Sequence, residues 1–288
     1  MRRLVVTADD FGLALPVNEA VECAHREGIV SAASLMVGAS AAADAVERAR
    51  RLPDLRVGLH LVVVEGRPLL APEAIPSLVD ARGELPTALV RAGLRFFLHP
   101  RARRDLEAEI RAQFEAFRAT GLALDHVNAH NHMQLHPTVL SICLRVGEEY
   151  GVRAMRVPWE PARPAGGAAL RPGLAARLGD LALAPWIRLL RARLRRAGIR
   201  SNDYVLGLRD SGALDEARVL ALLACPPAGV GELYFHLATG PCPELARHAP
   251  GYRPEAELAA ATSPRVREAL ARLGVRPGGF ADLVAPAA

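Results

Sequence analysis

Leu4-Val5-Val6-Thr7-Ala8-Asp9-Asp10-Phe11-Gly12 begins as an apolar run on both parities and ends in two adjacent carboxylates followed by a glycine. Side chains alternate across a strand, so apolar residues at both odd and even positions indicate a strand covered on both faces, as in parallel sheets flanked by helices. Working outward, similar runs at 31–37, 56–64, 124–130, 152–157, 203–206 and 232–236 read as strands. Helical periodicity at 17–26, 41–51, near 86–98, 103–119 and 138–149 separates them. This βα alternation predicts an α/β fold, a parallel (β/α) barrel of TIM-barrel type, with residues 1–288 as one domain and no internal repeat. In such barrels the chemistry sits at the C-terminal ends of the strands. Asp9, Asp10, His60, His130, Arg156 and His236 all fall at such ends.

Composition removes several classes of chemistry. All 36 basic residues are arginine, and no lysine occurs in the 288 residues. Pyridoxal Schiff bases, lysine aldolases and Walker-type phosphate loops are therefore excluded. The net charge of +5 is modest for this length and accompanies no nucleic-acid-binding motif, so no nucleic acid is expected. The four cysteines are dispersed without a Cys-x-x-Cys pair, which indicates a reduced compartment. Asp9 and Asp10 interrupt the first apolar run too early for a signal-peptide core, and no run reaches membrane-span length. The expected location is cytoplasmic.

The densest chemical signal is His126-Val-Asn-Ala-His130-Asn-His132-Met-Gln-Leu-His136-Pro137, which carries four of the nine histidines in twelve residues. Read as an extended segment, it places His126, Asn128, His130, His132 and Gln134 on one face, where neighbouring imidazoles converge on an ion. The motifs at 7–12 and 58–61 add a carboxylate and a further imidazole to a mixed nitrogen and oxygen site. Two adjacent carboxylates repel, so a site keeping both has one neutralised by a cation and the other free as a base. The plainer alternatives are a turn-forming Asp10 before Phe11-Gly12 and histidines that are merely satisfied polar residues.

Together, Thr7–Gly12, Gly58-Leu59-His60-Leu61, the histidine run closing on Pro137, Arg156 in Val-Arg-Ala-Met-Arg-Val-Pro and Glu232-Leu-Tyr-Phe-His236 resemble the YdjC-like carbohydrate deacetylases over most of the chain. Asn128-Ala129-His130, His136-Pro137 and the run 234–239 are most similar to the hopanoid-biosynthesis-associated branch. The resemblance implies a metal-dependent enzyme that removes acetyl groups from N-acetylated amino sugars, with an N-acetylglucosaminyl hopanoid as the substrate in that branch. It implies Asp10, His60 and His130 as ligands of one divalent ion, magnesium or zinc, although manganese and cobalt suit the same donors. It further implies Asp9 as general base, His236 as general acid and Arg156 as the group orienting Asp9 or the substrate. His132, Asn128, Gln134 and Phe11 are the expected substrate neighbours. Asn128 and Gln134 stand where the wider family usually has aspartate and histidine. The alternatives are a metal-dependent phosphoesterase on a histidine-rich barrel and a degenerate barrel that binds a glycolipid without turnover.

Two segments lie outside these motifs. Residues 158–172, rich in Pro, Gly and Ala, read as a mobile loop, and 173–197 as an amphipathic helical insertion carrying Trp186 and a row of arginines. That helix suits either a peripheral contact with the inner face of a membrane or simple packing on the barrel with a solvated arginine face. The expected partners are thus an N-acetyl amino sugar, lipid-linked in the hopanoid branch, a membrane surface and a second copy of the chain.

Overall fold

The computed structural model describes residues 3–161 and 174–283. Its sheet comprises β1 (Arg3–Phe11), β2 (Ala32–Leu35), β3 (Arg56–Leu61), β4 (Val127–Ala129), β5 (Tyr204–Leu206) and β6 (Val230–Phe235), all parallel, in the order β4-β3-β2-β1-β6-β5. Val127 bridges Met155, Ala154 bridges Arg200, and the Val205 N–H donates to the Trp159 carbonyl at 2.7 Å. The segment 154–159 thereby carries the pairing from β4 to β5 and curls the sheet into a barrel, as the sequence indicates. The strand expected at 152–157 is reduced to these isolated bridges. The cause is local: the Asn202 side chain accepts from the Val157 N–H (2.7 Å) and donates to its carbonyl (2.9 Å), in place of a backbone ladder.

Helices cover the outside. α1 (Leu15–Arg26), α2 (Ala42–Arg50), α3 (Leu89–Leu98), α4 (Pro100–Ala119), α5 (Pro137–Glu149) and α6 (Leu174–Arg196) occupy the expected stretches. Four more, α7 (Glu216–Ala224), α8 (Pro243–His248), α9 (Pro254–Thr262) and α10 (Pro264–Arg272), fill the last third, and Pro277–Gly278 (β7) adds to β1. Their start signals are local. Asp215 caps α7 by accepting from the Arg218 N–H, Ser263 caps α10, and α8, α9 and α10 each carry proline in the first turn. From residue 162 onward the loop expected at 158–172 lies outside the described residues. In α6, Ile187, Leu190 and Leu194 are buried, and the Trp186 indole donates to the Leu135 carbonyl at 2.9 Å. Trp186 is thus partly buried against the barrel, in line with the packing alternative for this helix. No helix among the described residues is long and apolar enough to cross a membrane.

Strand alternation sorts the interior into layers. Leu4, Val6 and Ala8 join the main core, whereas Val5 belongs to a separate small cluster with Ala32, Ala154 and Phe280 that plugs the N-terminal end of the barrel. On the same parity Thr7 bonds Glu232, and Asp9 bonds Arg156, so the inner wall grows polar toward the C-terminal mouth. Gly58 makes room for this wall. His126 reaches past it to Ser34 (3.0 Å), and a Cβ at Gly58 would lie 2.5 Å from three atoms of the imidazole ring. His126 is also held by Asp125 and Phe280, so it has no free direction of retreat. Gly58→Ala should cost about 1–3 kcal/mol through overpacking. Urea denaturation measures this, and wild-type stability in the variant would contradict the packing described.

Candidate active site

A residue following Asp9 in a regular strand would point away from the barrel interior. The β1–β2 register shifts between Ala8 and Phe11, however, and Asp10 adopts φ 61°. This irregularity turns the Asp10 carboxylate back toward the mouth, so that both aspartates face it. The turn is fixed by the Gly12 N–H (φ 98°), which donates to Asn18 Oδ1 at 2.7 Å. Among the described residues, the non-glycine positions with positive φ are Asp10, Glu65, Asn131 and His132. Asn131 donates to Glu65 at 2.7 Å, and Glu65 lies 3.9 Å from His130 Nε2, so the strained backbone gathers around one place, as is usual for functional sites.

Asp10, His60 and His130 are buried together, with ligand atoms within 4.8 Å of one another. Asp10 Oδ1 lies 3.2 Å from His60 Nε2 and 3.3 Å from His130 Nδ1. The β3–β4 register sets His60 beside Asn128, whose Oδ1 accepts from His60 Nδ1 at 2.7 Å. With its proton on Nδ1, His60 presents the Nε2 lone pair to the Asp10 carboxylate. Two acceptors face each other across a buried gap. Asp10 Oδ1, His60 Nε2 and His130 Nε2 all lack a hydrogen-bond partner in the fold. Buried polar atoms without partners are costly, and an oxygen and nitrogens arranged in this way fit a divalent cation. Burial opposes ionisation of Asp10, but the imidazoles of His130 and His60 beside it favour the charged form and hold its carboxyl well below the usual range. Burial also opposes the charged form of His130, and Asp10 outweighs it, raising the imidazole pKa.

Asp9 has a different environment. Arg156, fully buried, grips both its oxygens, with NH1 at 2.5 Å from Oδ2 and NH2 at 2.9 Å from Oδ1. The other edge of the guanidinium meets Glu232, with Nε 2.9 Å from both carboxylate oxygens and NH2 2.6 Å from Oε1. The Tyr234 ring lies 5.0 Å from the guanidinium carbon, and Thr7 donates to Glu232 at 2.7 Å. Burial would raise the Asp9 pKa. The Arg156 charge, then His60, reverses this and holds it well below the usual carboxylate value. Arg156 thus turns to Asp9 rather than to open solvent.

The remaining sequence candidates divide. His236 follows β6, half-buried, with its ring 5.3 Å from Tyr234 and 5.0 Å from Tyr252, and its backbone N–H donates to Glu257 at 2.6 Å. Asn128 belongs to the polar wall, donating to Asp9 (3.1 Å) and Ser34 (2.9 Å). The extended reading of the histidine run fails after Ala129: residues His130–Leu135 form a 3-10 turn with left-handed Asn131 and His132, so the two-residue alternation stops. His132 packs 5.8 Å from Tyr234, and burial, then the Arg156 charge, pushes its pKa down to about 3. Gln134 is fully buried, with both amide atoms unpartnered. Phe11, expected beside the substrate, is instead fully buried in the core and presents no ring to a ligand. Sequence reasoning missed Glu232, Ser34, Glu65 and His248. A charge inside the apolar run Glu232–Phe235 was the available signal for the first.

A cavity of about 510 Å³ opens beside the triad, bounded by Glu65 and His248 on that side and by Leu13, Met36, Val62 and Leu69 elsewhere. His248 sits 6.2 Å from the His130 ring. Glu232→Gln keeps the shape of the network but leaves the buried Arg156 charge with one carboxylate, so about 3 kcal/mol of stability should be lost. Chemical denaturation measures it, and a change within about 0.5 kcal/mol would contradict the role given to this ion pair.

The profile of the YdjC-like protein family matches residues 3–272. Carbohydrate deacetylases of Brevibacillus brevis and Geobacillus stearothermophilus are 41% and 38% identical over 157 and 167 residues, covering 54% and 57% of this chain. A carbohydrate deacetylase of Vibrio cholerae is 38% identical over 150 residues, or 52% of the chain. These matches span 60%, 61% and 57% of the relatives' own lengths. In overall shape the chain is similar to the crystal structure of an Enterococcus faecalis V583 protein described as a cellobiose-phosphate cleavage protein, with a TM-score of 0.76, 23% identity and 98% of each chain covered. By the extent of the family match and the barrel that carries it, the chain belongs to the YdjC-like protein family.

Proposed function

We propose that this protein is a metal-dependent hydrolase that releases acetate from N-acetylated amino sugars. The observation that carries the reading is the convergence of Asp10, His60 and His130 at the barrel mouth, with Asp10 Oδ1 and His60 Nε2 unpartnered, beside a second carboxylate, Asp9, held apart by Arg156. The carbohydrate deacetylases it resembles support the choice of substrate class. One divalent ion, magnesium or zinc, held by Asp10, His60 and His130 would acidify water and polarise an acetyl carbonyl.

The chain's own groups do the rest. Asp9 Oδ1 accepts from Arg156 and Asn128, whereas Oδ2, among the described residues, accepts only from Arg156 and keeps a lone pair for the proton of the attacking water. The ion pair that orients Asp9 also weakens it as a base, which is why the water must be acidified. His236, steadied between Tyr234 and Tyr252, delivers a proton to the departing amine nitrogen as the C–N bond breaks. Arg156 positions Asp9 and, being wholly enclosed, leaves substrate contacts to residues around the cavity. Water and amide give acetate and a free amino sugar. Among the described residues one three-ligand group is found, whereas phosphoesterases of this kind usually gather two or three ions, which favours amide hydrolysis.

At finer grain, the proposed substrate is the N-acetylglucosaminyl group of a hopanoid, met at the inner face of the membrane. The motifs at 128–130, 136–137 and 234–239 support it, as do the apolar walls of the cavity beside the triad.

Purified protein should release acetate, and no phosphate, from chitobiose-like or lipid-linked N-acetyl sugars, losing this activity to a chelator and regaining it with a divalent ion. Activity surviving complete metal removal would sink the mechanism. His60→Ala or His130→Ala should lose bound metal and turnover together. Asp9→Asn should keep the metal while losing at least about 100-fold in kcat, because it removes a proton acceptor and no ligand. Metal analysis beside acetate assay separates the two outcomes, and an Asp9→Asn protein without metal would reverse the assignment.

A further inference from the structure

Below the site, toward the closed end of the barrel, three buried polar side chains that no step of the proposed reaction uses, Asp125, His126 and Ser34, lead up to Asn128 and His60. Asp125 Oδ2 accepts from His126 Nδ1 at 2.9 Å, His126 Nε2 meets Ser34 Oγ at 3.0 Å, and Asn128 Nδ2 donates to Ser34 Oγ at 2.9 Å. Asn128 Oδ1 then meets His60 Nδ1 at 2.7 Å. All five residues are at most 5% exposed, so water does not compete for these bonds. The glycine at 58, between Ser34 and His126, permits the crossing.

The direction of every proton along this line follows from its two ends. Asp125 also accepts the backbone N–H groups of Phe280 (3.0 Å) and Ala281 (2.9 Å), which with His126 hold it ionised against the cost of burial. It can only accept, so His126 carries its proton on Nδ1 and offers a lone pair at Nε2. Ser34 donates there and keeps its own lone pairs for Asn128 Nδ2. At the other end ionised Asp9 is likewise an acceptor, and it receives the second Nδ2 bond of Asn128. Both demands turn the amide the same way, with Oδ1 toward His60.

We infer that Asp125, His126 and Ser34 are positioning residues that act through Asn128 to hold His60 as its Nδ1–H tautomer, with Nε2 aimed at Asp10. This rests on the reading of His60 as a metal ligand. It explains how asparagine serves at position 128: an amide can donate to Asp9 and Ser34 while accepting from His60, whereas a carboxylate there would face Asp9 as a second acceptor.

The test uses full-length protein with Ser34→Ala, Ser34→Thr and Asp125→Asn. Side-chain nitrogen NMR of metal-free protein, above the pH range of imidazole titration, reads the tautomers, and competition with a chromogenic chelator reads zinc affinity. Ser34→Ala should mix the His60 tautomers and weaken zinc about tenfold or more, as loss of a bond behind a ligand does, and Ser34→Thr should restore both. Asp125→Asn, equal in shape, should move the His126 proton to Nε2. A His60 tautomer unchanged in Ser34→Ala, or a Ser34→Thr protein as impaired as Ser34→Ala, overturns the inference. A tautomer change in protein that binds no zinc would support the relay and remove only the metal reading.

Discussion

The buried guanidinium of Arg156 is the interaction on which the site depends. A wholly enclosed positive charge is tolerable only with its partners in place, and Asp9 and Glu232 enclose it from two edges. Those partners sit on β1 and β6, adjacent strands in register over Arg3–Ala8, while Arg156 comes from the segment that closes the barrel between β4 and β5. One ion-pair network therefore ties opposite walls of the barrel together and fixes the rotamer of Asp9. It also keeps Asp9 ionised, one of the two acceptors, with Ser34, that turn the Asn128 amide.

Asp9 and Asp10 are neighbours in sequence yet have separate surroundings. Without the register shift at the end of β1, alternation would send one of them outward. The left-handed Asp10 brings both to the mouth, and their fields then diverge: Asp9 meets a guanidinium, and Asp10 meets imidazoles. Pairs of carboxylates driven into different environments are the usual way of obtaining two roles from one residue type.

Much of this was legible in the sequence because it depends on period and composition. Both-parity apolar strands gave the barrel, and carboxylates and histidines at strand ends marked Asp9, Asp10, His60 and His130 as neighbours. What was hidden depends on departures from regular geometry. Two-residue alternation reads the histidine run as extended, but the chain turns at His130 through left-handed Asn131 and His132, residue types that tolerate this conformation without requiring it. The segment at 152–157 reads as a strand from its apolar run, although side-chain bonds from Asn202 replace its ladder. Phe11 adjoins the aspartates in sequence, yet the same turn that redirects Asp10 leaves it in the core. Glu232 and Ser34 were overlooked because a polar residue inside a strand shows its partner only once the strands are in register.

Diffraction from crystals of zinc-loaded protein, recorded on both sides of the zinc absorption edge, tests the central claim most directly. The account predicts one anomalous peak per chain, within coordination distance of Asp10, His60 and His130, with Asp9 still paired to Arg156. A peak ligated by Asp9 in place of Asp10, or no peak between these three residues at saturating zinc, would contradict it.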